Sequence, residues 1–275
     1  MRWVFALLLL IATVTAQEEF LMERVEVTVS DIQGDGSAHV HESIKFIMFG
    51  DHANSLYDSA ISNNKLSYWS NITGLKDVKL HISSSAADIR DFRLRPQPRT
   101  KCNPIEELCH GELILDYWAH PTFENNSDVP VGGTGVFTID KYKPRTTRYT
   151  INPDALSFTK TAENNIVLEE KVFFIIQLPP DNVVLDLNPQ PSEEQYDLPE
   201  HINSLSWEDI VLVKFSVVFD VEESIDKEVS DFFSSIAKTI SDTLASPHGL
   251  PLVVLIIVVI GSYLYIVMAK RRGEE

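Results

Sequence analysis

Val25, Val27 and Val29 alternate with Arg24, Glu26 and Thr28. The chain then turns through Gln33-Gly34-Asp35-Gly36, and Ala38, Val40, Ile44, Phe46 and Met48 resume the alternation. Successive side chains of a strand point to opposite faces, so this period of two predicts a β-hairpin with one apolar and one wet face. Outward from it the same pattern recurs. Val78, Leu80 and Ile82 predict a half-buried strand, Phe92 with Leu94 another, and Glu112–Trp118 and Gly135–Tyr142 two more. Turn residues punctuate them at Pro96-Gln97-Pro98 and Val131-Gly132-Gly133. Between the strands, Asn54–Asn63 predicts a short helix with Leu56, Ala60 and Ile61 on one face.

A second block opens at Tyr149-Thr150-Ile151, followed by the turn Asn152-Pro153-Asp154. Ile166–Leu178 is a long β-rich segment stopped by Pro179-Pro180, and Val183-Val184-Leu185 is a short strand. Pro189–His201 is polar, acidic and Pro-containing, which predicts a loop. Val211–Val221 is almost continuously apolar, the pattern of a strand buried on both faces. The expected class is therefore mainly β, with one or two β-sandwich-like modules. They divide as an N-terminal β-rich domain over 17–148 and a second over 149–222.

The two ends predict a membrane topology. Residues 1–16 hold a basic Arg2, an apolar run from Trp3 to Ala12, and small residues at Val14 and Ala16. That is the plan of a secretory signal peptide cleaved before Gln17, with an uncleaved anchor as the alternative. Leu250–Ala269 carries no charge over 20 residues, long enough to cross a bilayer as a helix, and Lys270-Arg271-Arg272 follow at once. The expected topology is type I and single-pass, with a cytoplasmic tail of 270–275 and the region before the span outside the plasma membrane.

The 275 residues carry a net charge of −17. Setting aside Arg2, the three basic tail residues, Glu274 and Glu275 leaves 19 basic and 38 acidic side chains outside, a net −19. Such a surface argues against nucleic acid, whose phosphates need clustered Lys and Arg. Just before the span, residues 223–246 change period. Ile225, Val229, Phe233, Ile236, Ile240 and Leu244 recur every three or four residues, with Ser224 as N-cap and Asp226 in the first turn. This predicts an amphipathic juxtamembrane helix. Its stripe can pack on the β-rich domain, the leading reading, lie on the lipid surface or pair with another subunit, an option the 11-residue repeat of the stripe keeps open.

The order of the second block, Tyr149–Phe158 with Ile166-Val167-Leu168, then Leu178-Pro179-Pro180, Leu205-Ser206-Trp207 and Phe215–Phe219 leading to Glu228-Val229 and Phe232-Phe233, resembles uncharacterised archaeal single-pass membrane-anchored β-sandwich ectodomain proteins. The resemblance covers residues 149–275. It implies a signal peptide, β ectodomain, juxtamembrane helix, one span and a short basic tail. It brings no activity, cofactor or catalytic residue.

Cys102 and Cys109 enclose six residues. In an exported chain an oxidised pair is the default; a Cys-Cys-His metal site with His110 and free thiols are the alternatives. His39 and His41 share one strand face, which the opposite register of Ala38, Val40, Ile44 and Phe46 turns to solvent. Gly132-Gly133 with Gly135 lacks the Lys and Ser/Thr of a phosphate loop, and no Gly-x-Ser-x-Gly elbow occurs. Acid pairs such as Glu169-Glu170 arise by chance in a chain with 40 acids. Asn71-Ile72-Thr73 and Asn125-Asn126-Ser127 make Asn71 and Asn125 candidate glycosylation sites. Tyr68-Trp69 and Tyr117-Trp118 are candidate carbohydrate or partner platforms; in strands, such pairs are half core and half surface.

No residue set points to catalysis, a cofactor or a metal. The expected function is a cell-surface protein whose acidic β ectodomain binds or scaffolds, with a protein partner of unknown identity. The alternatives are an accessory subunit of a membrane complex, held through the juxtamembrane and transmembrane helices, and more remotely an exported hydrolase.

Overall fold

The computed structural model describes residues 19–103, 105, 107–122, 135–143, 145–198 and 201–222, together with Ser234 and Lys238. The expected signal peptide, Asn125, the six stripe residues from Ile225 to Leu244, the span over 250–269 and the tail lie outside the described residues. Among the described residues, no helix is long and apolar enough to cross a membrane.

The alternating segment that opens the chain forms the predicted hairpin. β1 (Phe20–Ser30) and β2 (Ala38–Phe49) pair antiparallel, with Val25 opposite Ile44 and Val29 opposite Val40. Two helices follow, α1 (Gly50–Ala60) and α2 (Leu66–Thr73). They lay Tyr57 and Trp69 in the core, with ring centroids 5.2 Å apart. Next come β3 (Asp88–Pro96), β4 (Thr100–Asn103), β5 (Leu108–His120), β6 (Phe137–Lys143), β7 (Thr146–Ile151) and β8 (Thr159–Lys160). The series ends with β9 (Ile166–Gln177), β10 (Asn182–Asn188), β11 (Glu193–Leu198), β12 (His201–Leu212) and β13 (Ser216–Glu222).

The described strands make two sheets. The larger runs β11-β12-β9-β1-β2-β5-β3, with β4 added beside β5 and β8 beside β9; the smaller runs β10-β13-β7-β6. Both sheets and both helices contribute to one continuous apolar core. Phe46, Tyr57 and Trp69 fill one end of it, and Phe174, Trp207 and Phe215 another. Each fully buried large side chain of this kind stabilises the fold by about 1.5–3 kcal/mol. Tyr57 keeps its hydroxyl satisfied by donating to the Gln97 carbonyl at 2.5 Å. Burial pushes its phenol up to about 12.

The mainly β class and the two sheets match the sequence reading, but several of its parts change. β9 of the second block pairs in parallel with β1 of the first, Val25 lying opposite Val172, and the expected boundary at 148/149 falls inside β7. The described residues up to Glu222 form one compact unit. Tyr68-Trp69 is helical, not extended: both lie in α2, which ends at Gly74 in the left-handed conformation that only glycine adopts cheaply. Val78–Ile82 forms no strand: Ile82 makes one bridge to Leu156 while Val78 and Ile82 bury their side chains from an irregular segment. The expected loop Pro189–His201 contains β11, paired with β12. The apolar run Val211–Val221 is broken by a turn at Lys214 (φ 50), which leaves Val211 and Val213 43% and 49% exposed.

Candidate functional site

On the side of the larger sheet turned away from the core, Trp118 of β5 lies opposite His39 of β2 and Arg90 of β3. The His39 and Trp118 rings sit 5.4 Å apart, and His120, two residues further along the same face, sits 6.1 Å from Trp118. Beside them the β1–β2 loop and a bulge in β3 close an open groove of about 490 Å³. Gln33, Asp35, Ser37, Asp91, Trp118 and His120 line it.

Local chemistry sets each wall. The Ser37 amide donates to Asp35 Oδ1 at 2.9 Å, which fixes the loop. Ser37 Oγ and His120 Nδ1 share a 2.7 Å hydrogen bond that orients the imidazole and leaves Nε2 for a ligand. Ser37 itself is 1% exposed, so its hydroxyl acts on the ring. Next along the face, His41 Nδ1 donates to Asp116 Oδ1 at 2.8 Å, and Arg95 donates to Asp116 Oδ2. Partial burial pushes the Asp116 carboxyl up, but these hydrogen bonds outweigh it and hold the group below the usual carboxylate range.

A second groove of about 370 Å³ lies on the outer face of β1, β9 and β12. There Arg24 covers the Phe173 ring at 3.9 Å and donates to Glu26 at 2.8 Å, with Glu193 and Glu208 nearby. The cation is already engaged by protein groups on both sides.

The residues singled out from sequence are dispersed. Cys102 and Cys109 form a disulfide across the β4–β5 turn, with a Cα–Cα distance of 4.1 Å. His110, weighed as their third metal ligand, instead donates to Glu23 Oε2 at 2.7 Å. Among the described residues, no group of three or more His, Cys, Asp or Glu could hold a metal ion. Asn71 is exposed on α2, and the Thr73 hydroxyl of its sequon donates to the Trp69 carbonyl at 2.8 Å. Of the aromatic pairs, Tyr117 and Trp69 are core residues, whereas Trp118 and Tyr68 reach the surface. Trp118 alone among these four lines a groove described here.

One cluster went unread in the sequence. Glu42, on the core-facing register of β2, is wholly buried with His81 and Tyr117. Glu42 Oε2 accepts from His81 Nδ1 at 2.8 Å, and Oε1 accepts from the His81 amide at 2.9 Å and from the Tyr117 hydroxyl. Burial, then the Glu42 charge beside it, pushes the Tyr117 phenol well above its ordinary range. The signal was present: a carboxylate at an even register position between Val40 and Ile44 demands a buried partner. Neither groove reaches this cluster, which ties the irregular 81–83 segment to the sheet.

No protein-family model matches the chain, and no curated protein matches it either. Among solved structures, yeast LTA4 hydrolase in complex with bestatin is similar at a TM-score of 0.30 and 9% identity, over 75% of this chain. The chain spans 29% of that protein's length.

Proposed function

We propose that this chain is a type I, single-pass surface protein whose acidic β-rich region is a binding module, and that the Trp118 groove is its binding site. The groove carries the reading: a partly exposed indole stands among Asp35, Asp91, Gln33 and His120, whose polar groups converge on one open space. The export and anchoring part of the proposal is supported by the signal-like residues 1–16, the uncharged run Leu250–Ala269 with the basic cluster after it, and the resemblance in plan to archaeal anchored ectodomain proteins. A Cys102–Cys109 bridge fits an oxidising compartment.

Two measurements on the full chain in the cells that make it test this. Protease added to intact cells should remove nearly all of the mature mass; protection of the β-rich region would overturn the topology. A photo-crosslinking side chain at Gln33, on the groove's rim, should capture surface material that the same group at Ser67, exposed on α2, does not. Equal labelling from both positions would overturn the site.

A further inference from the structure

The Trp118 groove has walls specific enough to name a ligand class. We propose that it binds a neutral saccharide; this rests on the reading of the groove as the binding site and adds the chemistry of what enters it.

Trp118 gives the groove its aromatic surface. The C–H face of a pyranose ring is flat and weakly apolar, and it packs on an indole, while the ring's edge carries hydroxyls. The side groups suit those hydroxyls. Asp91 accepts, Asp35 accepts through the oxygen that the Ser37 amide leaves, Gln33 offers its amide oxygen and the Nε2 hydrogen not given to the Asp31 carbonyl, and His120 offers Nε2. An apolar small molecule would need more greasy walls than a single indole supplies. Phosphorylated, sulfated or carboxylated ligands meet two carboxylates, and none of the lining residues is Lys or Arg. Arg90, across from Trp118 on β3, is engaged by Asp88 at 2.8 Å.

The walls are also built in advance, which lowers the ordering cost of binding. Asp91 has a φ of 54° in the bulge that shifts the β3–β5 register between Arg90 and Arg93. A bulge re-aims a side chain, and a non-glycine residue at positive φ is held there under strain. The bulged residue is the one that lines the groove. On the opposite wall Gly36 has a φ of 85°, and a Cβ there would lie 2.9 Å from the Phe137 carbonyl oxygen. The hairpin loop is therefore close against β6 at Gly36, and Ser37 fixes His120 from the same side.

The test uses the full chain in phosphatidylcholine nanodiscs, titrated with neutral oligosaccharides (cello-, malto-, xylo- and chito-oligomers), a polygalacturonate fragment as the acidic counterpart, and an unstructured Lys-rich peptide. Binding of one neutral series, weakened about tenfold or more by Trp118→Ala and by Asp91→Asn, is the expected result. Circular dichroism of both variants must match the parent, and Trp118→Phe should retain part of the affinity. If only the acidic sugar or the peptide binds, and Trp118→Ala abolishes it, the saccharide inference is overturned while the groove remains the binding site. If a sugar binds equally well to Trp118→Ala, or if no probe binds the groove, both the inference and the site it rests on are overturned.

Discussion

Glu42 and His81 meet in the core with Oε2 and Nδ1 2.8 Å apart, and neither side chain is more than 1% exposed. A carboxylate removed from water is tolerated only when its lone pairs are filled, and Tyr117 and the His81 amide supply the remaining hydrogen bonds. The pair thereby pins the irregular segment around His81, whose carbonyl in turn accepts from the Ser157 amide at 2.8 Å. A polar cluster thus links β2 and β5 to the segment before β8, where the described pairing is the single Ile82–Leu156 bridge.

Removing Glu42 alone should be worse than removing it together with His81. Glu42→Ala leaves the imidazole and phenol without their shared acceptor, and should destabilise the chain by about 3–5 kcal/mol. Glu42→Leu combined with His81→Leu should recover only the part that comes from the stranded imidazole, since the Tyr117 hydroxyl and the His81 amide still lack their acceptor. Thermal melts of the full-length variants check it. A double variant less stable than either single one would contradict this account of the cluster.

Tyr57 gives a prediction at alkaline pH. Burial raises its phenol to about 12 in the fold, above the ordinary value of 10.0. A raised folded value contributes stability that is complete below pH 10 and lost as pH rises from there towards 12, because the unfolded chain ionises first. Tyr57→Phe should lower neutral stability by about 1–2 kcal/mol, since the Gln97 carbonyl loses its donor. It should also flatten this alkaline loss, as read from melting temperature against pH.

Asp116 gives the opposite sign. Its folded carboxyl is held low by His41 and Arg95 against the upward push of burial. The associated stability is present above the ordinary carboxylate range and is lost as pH falls through the depressed folded value. Both partners are well exposed, so the contribution is small, under about 1 kcal/mol. Asp116→Asn should be slightly less stable than the parent at neutral pH and equal to it in strong acid, as measured by denaturant midpoints.

The opening hairpin could be read from sequence because its alternation is local and its loop holds two glycines. Class and most strand positions follow from the same local period. Closure of the two blocks into one unit could not be read, since the parallel pairing of Val25 with Val172 joins segments far apart in the chain. The mixed run Val211–Val221 misled because an apolar stretch does not reveal a turn whose left-handed residue is Lys214 rather than glycine. In the groove, Trp118 was singled out with Tyr117, and period two assigned one ring to each face. Asp91 and Gln33 carried no signal: they reach Trp118 only through the β3 bulge and the folded hairpin loop.

The disulfide has a modest role. Closing a turn this short contributes about 2–3 kcal/mol in the chain-entropy model. Unreduced peptide mass spectrometry should show Cys102 joined to Cys109, and reduction should lower the melting temperature without dismantling the sheets. Full alkylation before reduction would refute the bridge.

Occupancy of the Trp118 groove at the cell surface tests the central claim most directly. Oxidative footprinting of the full chain on intact cells, compared with the purified chain in nanodiscs, reads Trp118 against Tyr68, which is 37% exposed on α2. The binding account predicts that Trp118 is protected on cells by about threefold or more while Tyr68 is unchanged, and that excess ligand restores this protection to the purified chain. Equal oxidation of Trp118 in both settings, with Tyr68 as the constant reference, would contradict it.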